Sequence, residues 1–171
     1  MTGQDTARLI LAIAGSTFAR DSYEVLSRFQ NLHPTQDLQS GQTLEEVLNH
    51  RIEQYPSDRN NLAAVREDPK TAYLPQIALE MFWAGGLQTN NYPPQAVMCW
   101  YNMFGEISKS VLFAPTDFLG RRRGGAALAN EQPRLEALEA YAGVGVVHSR
   151  IVTVDAIVQI AEAMFSAAGG R

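Results

Sequence analysis

The residues best suited to chemistry in this chain are three consecutive arginines, Arg121, Arg122 and Arg123, closed by Gly124 and Gly125. A guanidinium is a planar fork that grips phosphate or carboxylate through two parallel bonds, and arginine outnumbers lysine 12 to 2 here. With Lys109 and Arg134 nearby in sequence, the run suits a nucleic-acid backbone or an acidic partner. A solvated loop is the plainer alternative. Charge distribution limits the first reading to a local contact, because residues 1–85 carry 7 basic against 11 acidic groups and residues 86–171 carry 7 against 7. A free-standing sequence-specific DNA binder shows a broader positive footprint. A polymeric coat needs none, since many copies with a few phosphate contacts each add up to tight binding.

Residues for catalysis are sparse. His148-Ser149-Arg150 can be combined with Asp117 or Asp155 into a base, a nucleophile and an orienting acid, but chains of this length commonly supply such a set, and no GxSxG elbow is present. The single cysteine, Cys99, lies between Met98 and Trp100, an apolar setting that raises a thiol pKa and favours an inert core residue over a nucleophile. His33, His50 and His148 share no HxH, HExxH or CxxC spacing, so no metal site and no cofactor is expected. The acidic pairs Glu45-Glu46 and Glu67-Asp68 read as solvated faces.

The most unusual segment is Met81 to Gly105, 25 residues without a charge, which contains both tryptophans. Phe82, Trp83, Tyr92, Trp100, Tyr101 and Phe104 are its candidate contact residues. Core packing is one reading. A subunit interface is another, because such interfaces enrich Trp and Tyr and deplete charge. A small-ligand pocket is the third.

The elements that must position these groups read mainly as helices. Thr6 to Gln30 has apolar spacings of two helices or one kinked helix, with Asp5 as a cap and Asp21 or Ser22 as a second one. The competing reading, a strand Leu9–Ala14 entering a phosphate loop, lacks the Gly-Lys-Ser/Thr that such a loop requires. Thr43-x-x-Glu46 is a capping box, followed by Leu44, Val47, Leu48 and Ile52 on one face. A short helix is expected over Leu62–Arg66, another over Tyr73–Trp83, and a helical hairpin through the uncharged segment, split by Gln88–Asn91 and Pro93-Pro94. Ser110–Ala114 and Val144–Val147 read as extended. Pro133 opens a helix through Ala142, and a last helix covers about Thr153 to Ala167.

The expected fold is therefore all-α: a single helical domain over residues 1–171 with about six helices and two short extended segments, α/β being the alternative. A charged share of 19%, below the roughly 25% of average soluble chains, with 46% hydrophobic residues, argues against disorder and coiled coils. The run Leu9–Ala14 is far short of the about 20 residues that span a bilayer, so no membrane span is expected. One cysteine and no secretory leader predict an intracellular location, cytoplasmic or within an assembled particle. Three function classes follow in order. First is a non-enzymatic structural subunit that self-assembles as a homo-oligomer, of coat or nucleocapsid type, contacting nucleic acid through Arg121–Arg123. Second is a small helical adaptor or chaperone-like protein with a protein partner. Third is an enzyme of unrecognised type using His148.

Overall fold

The computed structural model describes residues 2–15, 22–35, 41–54, 76–84, 92–102, 106–116, 132–142, 144 and 146–169. The expected helix over Leu62–Arg66, the turn at Gln88–Asn91, Phe104 and Arg121–Arg123 lie outside the described residues. The elements are α1 (Gly3–Gly15), α2 (Ser22–Phe29), β1 (His33–Pro34), α3 (44–54), β2 (Ile77–Ala84), β3 (Gln95–Tyr101), β4 (Ile107–Ala114), α4 (Gln132–Glu139), β5 (Val147–Thr153) and α5 (Val154–Gly169). The five strands form one antiparallel sheet in the order β1-β4-β3-β2-β5. The all-α expectation is thereby overturned: the protein is a mixed helix-and-sheet structure.

The correction centres on the uncharged segment. Its first half and the residues before it form β2, not a helix over Tyr73–Trp83, and its second half forms β3. The expected helical hairpin is two paired β-strands, with Leu79 opposite Met98 and Met81 opposite Ala96. The physical reason is burial on both faces. Leu79, Met81, Ala96 and Met98 enter one core, while Phe82, Val97 and Cys99 enter another on the opposite face. A strand covered on both sides loses the polar alternation that identifies it, and reads as a continuous apolar run that a helix could equally produce.

The first face, here face A, is covered by α1, α2, α3 and α5. Leu11 of α1, Phe29 of α2, Leu44, Leu48 and Ile52 of α3 and Ile157 of α5 all join its core. Face B is covered by α4, through Ala137 and the following Tyr141. A bulge between Ile77 and Leu79 shifts the register of β2 against β5. Ala78 and Leu79 consequently both belong to the face A core, and Ile77 comes to the same side as Glu80.

Helix starts follow from local hydrogen bonding. The Thr43 box forms as its spacing predicts: Thr43 N–H donates to Glu46 Oε2 at 2.8 Å and Glu46 N–H to Thr43 Oγ1 at 3.3 Å. A second reciprocal pair opens α1, from Thr2 N–H to Asp5 Oδ2 at 2.9 Å and from Asp5 N–H to Thr2 Oγ1 at 3.1 Å. Asp5 is thus the inner member of a box whose cap is Thr2, and these bonds hold its carboxyl below the usual carboxylate range. Glu45 ties α1 to α3 by accepting from Gln4 Nε2 at 2.7 Å and Arg8 Nε at 3.0 Å. Thr153 caps α5, its Oγ1 accepting from Ala156 N–H at 3.2 Å.

Gly15 ends α1 where the two helices meet the sheet. A Cβ there would overlap Val25 Cγ1 and come within 2.9 Å of Met81 Cε. Gly15→Ala is therefore expected to lower stability by about 1–3 kcal/mol despite the better helix propensity of alanine. A denaturant midpoint unchanged or raised in the variant would show that α1 does not approach α2 and β2 this closely.

Candidate functional site

Glu80 lies in the middle of β2 with only 2% of its surface exposed. A carboxylate in that position must be fully bonded, because desolvating an unpaired charge costs several kcal/mol, on the order of its whole Coulomb gain. Arg134 of α4 supplies Nε to Oε2 at 2.6 Å and Nη2 to Oε1 at 3.3 Å, and Ser149 of β5 donates its hydroxyl to Oε1 at 2.6 Å. One buried acid thereby fastens three elements together on face B.

Beside this pair is a cavity of about 90 Å³, lined by the aliphatic side chains of Ile77, Val97 and Ile107, together with Glu80, Cys99, Tyr101 and Arg134. Burial pushes the Cys99 thiol above its usual range, as the sequence setting suggested. Burial likewise raises Tyr101, whose hydroxyl donates to Ile77 C=O at 3.0 Å. The cavity is a place for a neutral thiol and a neutral phenol rather than for an activated nucleophile. Tyr141, also raised by burial, sets its hydroxyl 3.0 Å from Phe82 C=O and 2.6 Å from Pro93 C=O, so its proton ties the end of α4 to the β2–β3 pair. Gln95 is fully buried nearby in β3, and among the described residues neither its Oε1 nor its Nε2 has a hydrogen-bond partner.

His148 and Ser149 are separated by the pleat. Ser149 is opposite Phe82 and shares face B, whereas His148 is opposite Trp83 on face A and stacks on it, with centroids 5.5 Å apart. The two cannot act as base and nucleophile on one substrate. Asp155 is in the first turn of α5, and Asp117 lies outside the described residues. Among the described residues no group of three His, Cys, Asp or Glu could hold a metal ion, and no helix is long and apolar enough to cross a membrane.

The aromatic candidates are dispersed by the strands. Phe82 is wholly buried in the face B core. Trp83 is half-buried on face A, where the Phe29 ring meets it edge-on at 6.2 Å. Tyr92 stacks against Tyr141 at 6.3 Å. Trp100 is half-buried on face A beside two cations, with the Arg51 guanidinium 5.4 Å and Lys109 Nζ 5.3 Å from its ring. Arg51 also donates to Cys99 C=O at 2.7 Å and Ala78 C=O at 3.3 Å. Tyr101 borders the cavity. No known family model, curated protein or solved structure matches this chain. The described residues form a five-stranded antiparallel sheet under a helical layer, with one helix on its other face.

Sequence reasoning missed Glu80 and Arg134 as partners. The available signal was an acid bounded by Leu79 and Met81 at the edge of an uncharged run, which demands a partner once the run is a strand.

Two predictions follow from this geometry. Removing the half-exposed member of the pair is the costlier change, because Arg134→Ala strands a buried carboxylate, at about 3 kcal/mol, whereas Glu80→Leu removes the buried charge itself and leaves Arg134 half-exposed to water. Thermal melts ranking Glu80→Leu below Arg134→Ala would contradict the pairing. The raised groups Cys99, Tyr101 and Tyr141 favour the folded state only while protonated. Their contribution is complete below the unfolded thiol and phenol values, about pH 8.5 and 10, and is lost as pH rises through the higher folded values. Stability measured from pH 7 to 11 should therefore fall at the alkaline end, and less steeply in Tyr141→Phe than in the parent.

Proposed function

We propose that the protein is a non-enzymatic structural subunit that assembles with copies of itself. The observation that carries this reading is a pair of apolar stripes left in solvent on opposite layers. On α1, Leu9 and Ile13 are one helical turn apart and 46% and 67% exposed; on α4, Leu135 and Leu138 are 57% and 42% exposed. Spacings of three and four residues make each pair contiguous on its helix. α1 is in the layer over face A and α4 is on face B, so the two stripes lie on opposite sides of the sheet. A subunit that propagates an assembly needs at least two such surfaces, since a single one closes into a dimer. Contiguous apolar surface is also what distinguishes an interaction site from scattered exposed residues.

Within such an assembly we assign phosphate contact to Arg121–Arg123, on the chemistry of the arginine fork alone. That assignment rests on the sequence.

Light scattering and electron microscopy of the purified protein are expected to show particles larger than a dimer. Leu9→Glu with Ile13→Glu, and separately Leu135→Glu with Leu138→Glu, should each reduce particle mass while leaving far-UV circular dichroism unchanged. A monodisperse monomer at high concentration, with and without nucleic acid, would rule the proposal out. Replacing Arg121–Arg123 by alanine should abolish salt-sensitive nucleic-acid retention and leave the protein–protein contacts intact.

A further inference from the structure

The sheet ends on β5, a seven-residue strand in which His148, Ser149, Arg150 and Ile151 are consecutively exposed. β2 occupies one of its sides, and among the described residues no strand pairs with the other. Natural edges are commonly blunted by shortness, proline, bulges or several charges. The opposite edge of this sheet is blunted in that way, since β1 has two residues and includes Pro34. β5 has one charged residue, Arg150, no proline, and an exposed isoleucine, Ile151 at 48%.

Resting on the self-assembly reading above, we infer that β5 pairs antiparallel with β5 of a second copy, with Ser149 facing Ser149 across a twofold axis. Continuing the sheet this way requires directly opposite residues to share a face, so the axis must pass beside one residue of the strand. Three positions are available near the middle of the exposed run. An axis at Arg150 sets two guanidinium groups directly opposite each other, which is unfavourable. An axis at Ile151 pairs residues 149–153, which leaves the exposed His148 outside the ladder and sets Arg150 opposite the buried, apolar Val152. The axis at Ser149 uses the exposed run in full. It places Ile151 opposite Val147 twice on face B, where both side chains are apolar and Val147 already borders the core. On face A it places Arg150 of one copy opposite His148 of the other, beside the ring that stacks on Trp83. The strand is thus complementary to its own reversed copy, apolar against apolar on one face and a cation against an aromatic stack on the other. That self-complementarity selects a second copy over a segment of a different protein. The product is a ten-stranded sheet crossing the contact.

Directly opposite residues in an antiparallel pair have Cα atoms about 4.5–5.5 Å apart, within the span of a disulfide. In a Cys99→Ala background, Ser149→Cys should oxidise to a covalent dimer, as should the double variant Val147→Cys with Ile151→Cys, which keeps the Ser149–Glu80 bond. Neither Val147→Cys nor Ile151→Cys alone should do so. Ile151→Lys should prevent pairing at this edge, reducing the yield of Ser149→Cys dimer at least tenfold. Preferential self-cross-linking at 150 or 151 overturns the register. Assembly that persists with no cross-link at any position from 147 to 151 overturns the edge contact and leaves the self-assembly proposal standing. A chain that is monomeric in solution, including one whose edge is filled by a different protein, overturns both.

Discussion

The burial of one carboxylate organises this fold. Glu80 can remain at 2% exposure in the central part of the sheet only because Arg134 and Ser149 come to it, one from α4 and one from β5. The helix on face B is therefore positioned by these two oxygen atoms, one of which also bonds the outermost strand, itself paired with β2 along its length. Apolar packing on α4 is thin, since among its described residues Ala137 enters the face B core and Pro133 is the other buried one. The ion pair fixes its angle and height over β2, and Tyr141 fixes its far end with a hydroxyl directed at Phe82 and Pro93. Burying a charge pair adds little net stability compared with apolar residues of similar volume. What it contributes in this structure is position.

The helical part of the structure was legible in the sequence because its signals are local. The Thr43 box and the Leu44, Leu48, Ile52 stripe require only neighbouring residues to be recognised, as does the apolar face of α5. The extended reading of Ser110–Ala114 falls within β4, while the β-like run Val144–Val147 meets β5 only at Val147. β2 and β3 were misread for a reason that is not local. Whether Ile77–Ala84 is strand or helix depends on whether both its faces are covered, and the covering residues come from α1, α3, α4 and α5. The site suffered the same limitation more severely. Glu80 and Arg134 are 54 residues apart, and neither has a partner that spacing could indicate.

The proposed assembly draws on surfaces that the two layers leave incomplete. Among the described residues four helices cover face A, yet α1 still shows Leu9 and Ile13 to solvent; one helix covers face B and shows Leu135 and Leu138. The aromatic residues that looked most suited to contact are partly spent within the chain, Phe82 in the core and Trp100 against Arg51 and Lys109. The aliphatic residues outside them carry the proposal instead. The absence of charge in Met81–Ala84 and Gln95–Tyr101 is accounted for by the two-sided burial of β2 and β3.

The junction between β5 and α5 has no loop. Thr153 is the last residue of the strand and the cap of the helix, and Val154, the first helical residue, still donates its N–H to Gln76 C=O at 2.8 Å. Strand and helix therefore behave as a bent rod, clamped to the sheet at its elbow. A force or displacement applied to the outer edge of β5 has no slack segment in which to dissipate. It reaches α5 directly, and α5 in turn meets α1 where the Thr6 hydroxyl donates to Met164 Sδ at 3.3 Å.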